Sequence, residues 1–379
     1  MILPLFVVLA LQGTPQAAVA HAVAEGIAGG SFPGAVVVVG TRDSILLAKG
    51  YGHFTWSASS RVPRPDSTLF DLASLTKVVA TTPAALLLVQ RGELDLDQTV
   101  QHYLPDFQGK GKDQVTVRML LEHRSGLRAF LPLNKLTHTA AEARARVMAE
   151  PLRWAPGTHT EYSDLNMMLL GWIIERVSGM PLDQFVHTQL FEPLGMTQTG
   201  YRPPRADIKR MMPVGLWHGH AIQGKVMDQN AARLDGVSGH AGLYSTGRDL
   251  AHYAQLWLRH GALLDGRPFF RPALVAEFTR RGPVNRALGW EMNDTTETVN
   301  TGRLLSDAAF GHTGYTGTSI WIDPTRDLFV IVLTNRVFHP RTGWSITRLK
   351  RVRGEVADAA VGMLDACLAA VASRAANSC

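Results

Sequence analysis

Cysteine is nearly absent: the chain of 379 residues carries two, Cys367 and Cys379, both close to its C-terminus. Two such thiols cannot form a disulfide framework and have no metal-ligand spacing, which excludes a stapled mini-domain and a zinc module. Charge is sparse too. Asp, Glu, Lys and Arg make up 18% of residues, and much of the formal net charge of +6 sits in RLKRVRGE at 348–355. Nucleic-acid binding would need basic residues interleaved with exposed aromatics, or a recognisable module, and neither occurs. The basic stretch reads as a solvated helix face. The apolar opening, MILPLFVVLAL, falls short of the roughly 20 residues that span a bilayer. It looks like the core of a secretory signal, although no Lys or Arg precedes it. Repeats with a period of 20 to 50 residues are missing, against a solenoid or propeller. So are HExxH and GxSxG, which argues against a zinc-protease helix and an α/β-hydrolase nucleophile elbow.

What remains is a composition typical of a compact fold, 46% hydrophobic with 35 Gly and 20 Pro. The length exceeds what a single core usually supports, so two structural units are expected. Thr14 and Pro15 read as an N-cap and first helical residue, with a helix ending at Gly29 and Gly30. Cleavage after the AVA at 18–20 would destroy that helix, so the mature start is placed near residue 13, outside the cytoplasmic membrane. GAVVVVGTRDSILLAKGYG at 34–52 reads as a β-hairpin turning at TRDS. From Leu75 to about Val89 the apolar spacing is helical. Further helices are expected over 115–123, 139–150, 165–179 and 181–191, with Gly179 stopping the third and Pro181 opening the fourth. Thr246 and Asp249 form a capping box. Strand character returns at 287–293, 318–324 and 327–335, and a long helix from about Ser345 closes the chain.

Strands at both ends with helices between predict an α/β (α+β) fold. One antiparallel sheet, flanked by the N- and C-terminal helices, carries an inserted, mostly helical domain. The expected units are a signal segment over 1–13, an α/β sheet domain from 14–72 and 275–379, and a helical domain over 73–274. A cleft between the two larger units is the natural place for a site.

Within DLASLTKVVATT at 71–82, Ser74 and Lys77 lie three apart and share a helix face. A serine hydroxyl needs a neighbouring base, and lysine can serve as one if burial or nearby positive charge lowers its pKa. The helix start would also aim a backbone N–H and the positive dipole end at an acyl-transfer oxyanion. Alone, SxxK is a weak pattern that chance would supply about once in such a chain. EYSDLNMMLLG at 161–171 places Tyr162 before an apolar helix, where a phenolate beside an ammonium could shuttle protons. FGHTGYTGTSIWIDP at 310–324 puts His312, Thr313 and Gly314 at a late strand edge, where glycine permits close substrate approach. His218 and His220 lack a third ligand and read as surface residues. His240 in SGHAG fits a tight loop better than a cleft.

The three motifs, in this order, together with FPGAVVVVG, LLEHRSGL and GVSGHAGLYST, resemble the serine β-lactamase-related family. The similarity runs from about Phe32 to Arg336, in the branch of class C β-lactamases, D-alanyl-D-alanine carboxypeptidases and serine esterases. That resemblance implies a β-lactamase/transpeptidase-like fold and a cofactor-free, metal-free serine hydrolase. Ser74 would be the acylated nucleophile, and Lys77 and Tyr162 would share the proton transfers. The Ser74 and Tyr315 amides would form the oxyanion hole, and His312, Thr313 and Gly314 would align the substrate. Two positions depart from the family pattern. Asp164 ends the YxN motif with an acceptor-only carboxylate, which would hold Lys77 charged and shift base work to Tyr162. Asn166, two residues on, points elsewhere on the helix. His312 replaces a frequent lysine and attracts a substrate carboxylate less strongly. Carboxypeptidase-like action on cell-wall peptides is the leading expectation. Alternatives are a carboxylesterase, a weak class C-type β-lactamase, or a non-catalytic penicillin-binding sensor.

Overall fold

The computed structural model describes residues 13–217, 220–294, 296, 299–338 and 345–376. The apolar opening, His218 and Cys379 therefore lie outside the described residues, while Cys367 is exposed. Six strands form one antiparallel sheet: β1 (Gly34–Gly40), β2 (Ile45–Gly52), β3 (Glu291–Met292), β4 (Phe310–Thr313), β5 (Ser319–Asp323) and β6 (Leu328–Thr334). Their spatial order is β2-β1-β6-β5-β4-β3. The first strand of the chain thus pairs with the last, from Ala35 opposite Thr334 to Gly40 opposite Phe329.

All seven residues of β1 are buried, because both sheet faces are covered. Side chains alternate across a strand, and Ala35, Val37 and Val39 enter one core while Val36 and Val38 enter another. The first core is closed by helix α1 (Pro15–Ala28) and the closing helix, whose Leu349, Val352, Val356 and Ala360 pack on Val19, Val23 and Trp321. Thr14 caps α1 through its hydroxyl, and Pro15 sits at the first helical position, as its sequence predicts. The closing helix is apolar enough over Ile346–Ser373 to cross a membrane by length and composition. Its first half is instead a core element, whereas Leu368 and Val371 farther on are exposed. On the other face lies the helix Gly247–Leu258, capped by Thr246, with Tyr253 and Trp257 packed among Trp290 and Phe310.

Three local expectations need correction. The helix expected from Leu75 opens instead as a wide π-type turn, Lys77–Thr81, before regular α-helix over Thr82–Gln90. Partners distant in sequence fix that turn: the Tyr253 hydroxyl donates to Val78 O, and Thr81 Oγ1 donates to Gly239 O at 2.7 Å. The helix expected over 115–123 shrinks to Val117–Leu121, because the chain turns at His123 with φ +56. The strand expected over 287–293 keeps only Glu291–Met292. Ala287 N bonds back to Trp290 O, and Gly289, at φ +81, donates to Leu121 O.

Candidate active site

The segment bearing Ser74 hangs from a small sheet in which Phe70–Asp71 pairs with Leu243–Ser245. Ala73, just before the serine, has φ +47, a left-handed conformation that costs a non-glycine residue energy. Asp71 holds that bend by accepting the Ala73 N–H at 2.9 Å. From the main sheet, Thr316 Oγ1 donates to Asp71 O at 2.7 Å and Thr318 Oγ1 to Leu72 O at 3.1 Å. The β4–β5 turn is thereby tied to the serine-bearing segment. Gly314 lies in this contact, and a Cβ there would stand 2.5 Å from Leu72 O, so glycine is required by close approach.

Lys77 is fully buried and donates to Ser74 Oγ at 3.0 Å and to His240 O at 2.9 Å. Its third partner is Asp164, at 2.8 Å. Burial works to lower the Lys77 pKa, as its sequence context suggests. The Asp164 carboxylate and the Tyr162 phenol oxygen, which also hydrogen-bonds the amine, outweigh it, and the ammonium is held above the ordinary lysine value. Lys77 is therefore a cation at neutral pH. Asp164 opens the helix Asp164–Ser178, and Ser163 just before it is buried. Asn166 faces away from Lys77 and accepts from Ser125 Oγ at 2.5 Å, a scaffold role that agrees with its expected position.

Tyr162 gathers four side chains around its ring. Lys77 Nζ lies 5.1 Å from the centroid and the Arg286 guanidinium 5.2 Å, with the His123 and His312 rings at 4.8 and 5.6 Å. His312 sits on β4, and its Nδ1 donates to Thr313 O at 2.8 Å. His123 accepts from Ser163 N at 3.1 Å through Nδ1. Both rings thus leave Nε2 buried without a hydrogen-bond partner among the described residues, as is Nη1 of Arg286. Tyr315 is exposed, next to Gly314.

Four participants were not singled out in the sequence. His123 follows an apolar helix in LLEHRSGL, Arg286 sits in a loop with no motif, and Asp71 and Asp228 look like ordinary turn residues. His240, expected to be only a loop residue, is 1% exposed and bonds to Ser238 Oγ at 2.7 Å and Asp228 at 3.1 Å, while its carbonyl receives Lys77. Asp164, Asp228 and His240 place one ligand atom each within 4.8 Å of one another, the grouping among the described residues that could hold a metal ion. The Lys77 ammonium already neutralises one of the three. His220 is exposed in a short hairpin and takes no part.

The histidines make stability depend on pH. Burial, followed by the Arg286 and Lys77 charges, holds both His123 and His312 well below the usual imidazole range. In the unfolded chain they take protons below about pH 6.5, so their contribution is full above that pH and is lost as pH falls. Asp71 acts oppositely: burial, opposed in part by the Met227 and Ala73 amides, raises it to about 6, so its contribution fades as pH rises through 6. Two histidines outweigh one carboxylate. Each depressed imidazole contributes a slope of up to about 1.4 kcal/mol per pH unit. The urea midpoint is expected to fall from pH 6.5 to 5, and less steeply in His312→Asn. An equal slope in the variant would remove His312 from this account.

Comparison with known proteins places the chain. The family model described as Beta-lactamase matches residues 19–351. A protein of Salmonella agona (strain SL483) named "Putative D-alanyl-D-alanine carboxypeptidase" is 33% identical over 346 aligned residues, covering 82% of this chain and 80% of that protein. Among solved structures, EstCE1, "a hydrolase with promiscuous acyltransferase activity", superposes with a TM-score of 0.74 at 23% identity, covering 93% of this chain and all of that one. A β-lactamase/D-alanine carboxypeptidase from Pseudomonas syringae gives 0.73 at 18% identity, covering 91% and 98%. A penicillin-binding protein homologue from Caulobacter crescentus gives 0.71 at 23%, covering 91% and 97%. At these identities the structures bear on fold alone, whereas the family match spans most of the chain: this protein belongs to the β-lactamase family of serine hydrolases.

Proposed function

We propose that this chain is a D-alanyl-D-alanine carboxypeptidase-like serine hydrolase that works through an acyl-enzyme on Ser74, outside the cytoplasmic membrane. The observation that carries the reading is the contact of Ser74 Oγ with the buried Lys77 ammonium, which Tyr162 also flanks. Because Lys77 is held as a cation, its role is to orient Ser74 and stabilise negative charge on Tyr162. Tyr162 takes the Ser74 proton as Oγ attacks the scissile carbonyl, then passes it to the leaving amine. The Ser74 and Tyr315 amides, which donate to no protein acceptor among the described residues, would hold the oxyanion. Water then hydrolyses the ester.

A carboxypeptidase must also hold the terminal carboxylate of its substrate. His312 is a neutral imidazole, so the charge must come from elsewhere, and Arg286 with its unpartnered Nη1 beside Tyr162 supplies it. Thr313 and Gly314 line the same strand end. Removing the cation is expected to act on acidic substrates only. Arg286→Gln should raise KM for a D-alanyl-D-alanine peptide at least tenfold, yet change turnover of its C-terminal amide by less than threefold. Equal losses on both would remove Arg286 from carboxylate binding. The reading as a whole is tested by intact mass: a peptide- or penicillin-derived adduct on Ser74 supports it, and its absence with every acyl donor overturns it.

A further inference from the structure

The basic stretch at 348–355 is not solvated throughout. Lys350, Arg351 and Glu355 are exposed, whereas Arg353 turns inward and is 4% exposed. Its hydrogen-bond partners among the described residues are uncharged: Nη2 donates to Thr318 O at 2.9 Å and to Gly314 O at 3.5 Å, and Nη1 to Asn300 Oδ1 at 3.4 Å. Burial and then the Arg336 charge, opposed by the Glu291 carboxylate, push its pKa down to about 9, which leaves it a cation at neutral pH. A buried cation held by neutral groups alone is costly, and its two backbone contacts fall on one turn. Thr318 O also accepts from Gly314 N at 2.7 Å, which closes the turn between β4 and β5, and Gly314 O also accepts from Gly317 N at 3.0 Å. The next two carbonyls are held as well, Tyr315 O by Arg336 Nε and Thr316 O by Arg336 N. The Tyr315 N–H, by contrast, meets no protein acceptor among the described residues. In a trans peptide the C=O and N–H point in opposite directions, so the guanidinium at Gly314 O stands behind the Tyr315 N–H.

We propose that Arg353 is a positioning residue of the oxyanion hole, polarising the Gly314–Tyr315 peptide so that the Tyr315 N–H becomes a stronger and better-aimed donor. The two ends of one peptide share a delocalised π system, and a charge placed at the oxygen draws density away from the N–H. The cation does not touch the substrate. Its effect passes through a single peptide unit and grows as the acyl carbonyl oxygen gains negative charge. The bond to Thr318 O fixes the turn, and with it the direction of the amide.

The inference rests on the hydrolase reading with Tyr315 N as a donor, and the experiment separates their failures. Arg353→Met is compared with wild type on p-nitrophenyl acetate, with Ser74→Ala as blank, and on an alkylboronic acid, whose anionic tetrahedral adduct on Ser74 puts an oxygen where the oxyanion forms. Because the donor is weakened and not removed, kcat/KM and boronate affinity are each expected to fall about tenfold, short of the 10²- to 10³-fold that follows loss of a donor. Arg353→Lys keeps a charge that burial makes easier to titrate. Its rate should lie near wild type at low pH and decline toward that of Arg353→Met as pH rises, on a limb that Arg353→Met lacks and that falls below any in wild type. Unchanged kcat/KM and boronate affinity in a folded Arg353→Met overturn the proposal, as does a loss of rate with boronate affinity intact. A lysine variant without that limb overturns it too, since packing alone would then account for the arginine; this arm decides the matter if Arg353→Met does not fold. No Ser74-dependent ester turnover and no boronate binding in wild type would overturn the hydrolase reading together with the inference.

Discussion

Ser74→Ala is expected to lower hydrolysis of any acyl donor by about 10⁴-fold or more, since loss of a nucleophile removes the covalent route entirely. The substitution removes one half-buried hydroxyl, and Lys77 keeps Asp164 and His240 O as partners. Stability should therefore change little. The measurement is paired: initial rates with ester and peptide, and intact mass after penicillin. A variant that still gains the mass of the acyl group would show that another residue is the nucleophile.

Lys77→Ala is the second large effect and differs in kind, because it acts on both rate and stability. The buried ammonium positions Ser74 and compensates Asp164, so its loss should slow acylation by about 10²- to 10⁴-fold. Removing one partner of a buried ion pair costs about 3–5 kcal/mol. The partial exposure of Asp164 places the expected loss at the lower end. Pairing the change with Asp164→Asn should restore the urea midpoint without restoring the rate. Recovery of both would mean that Lys77 serves the fold alone, and near-wild-type rates in Lys77→Ala would remove it from the mechanism.

The parts of this site that a sequence declares are those fixed by local chemistry. Three-residue spacing brings Ser74 and Lys77 together, and an apolar helix places Tyr162 and Asp164 at its start. At the HTG strand end the sequence points to glycine as room for a substrate backbone, whereas the backbone that presses on Gly314 is this chain's own, at Leu72. The departure at Asp164 is legible in the same way: replacing an amide by a carboxylate beside a lysine predicts an ion pair, and the pair is there. Arg286, Asp228 and the His240 carbonyl are different. Arg286 comes to the Tyr162 ring, the His240 carbonyl to Lys77 and Asp228 to the His240 ring along paths set by distant packing, and no spacing or periodicity marks them. Likewise, the π-type turn after Ser74 owes its shape to Tyr253 and Gly239, which lie far along the chain. The longer strands and helices follow from β-branched runs and from helical apolar spacing. Short elements such as Glu291–Met292 do not, since Gly289 and its bond to Leu121 cut short a run of strand-forming residues.

The pairing of β1 with β6 carries a kinetic consequence. The strand that leaves the ribosome among the first segments waits for almost the last before its central ladder, from Ala35 to Thr334, can close. Closing so large a loop makes assembly slow and leaves a sticky, valine-rich edge bare in the interim. The threonines that clamp the serine-bearing bend, Thr316 and Thr318, arrive with the late strands. An incomplete chain can thus hold helices and Ser74, yet lack the contacts that fix the bend before it. The contacts that shape the Ser74 segment are therefore completed only when synthesis is nearly finished, while the polypeptide is still in transit.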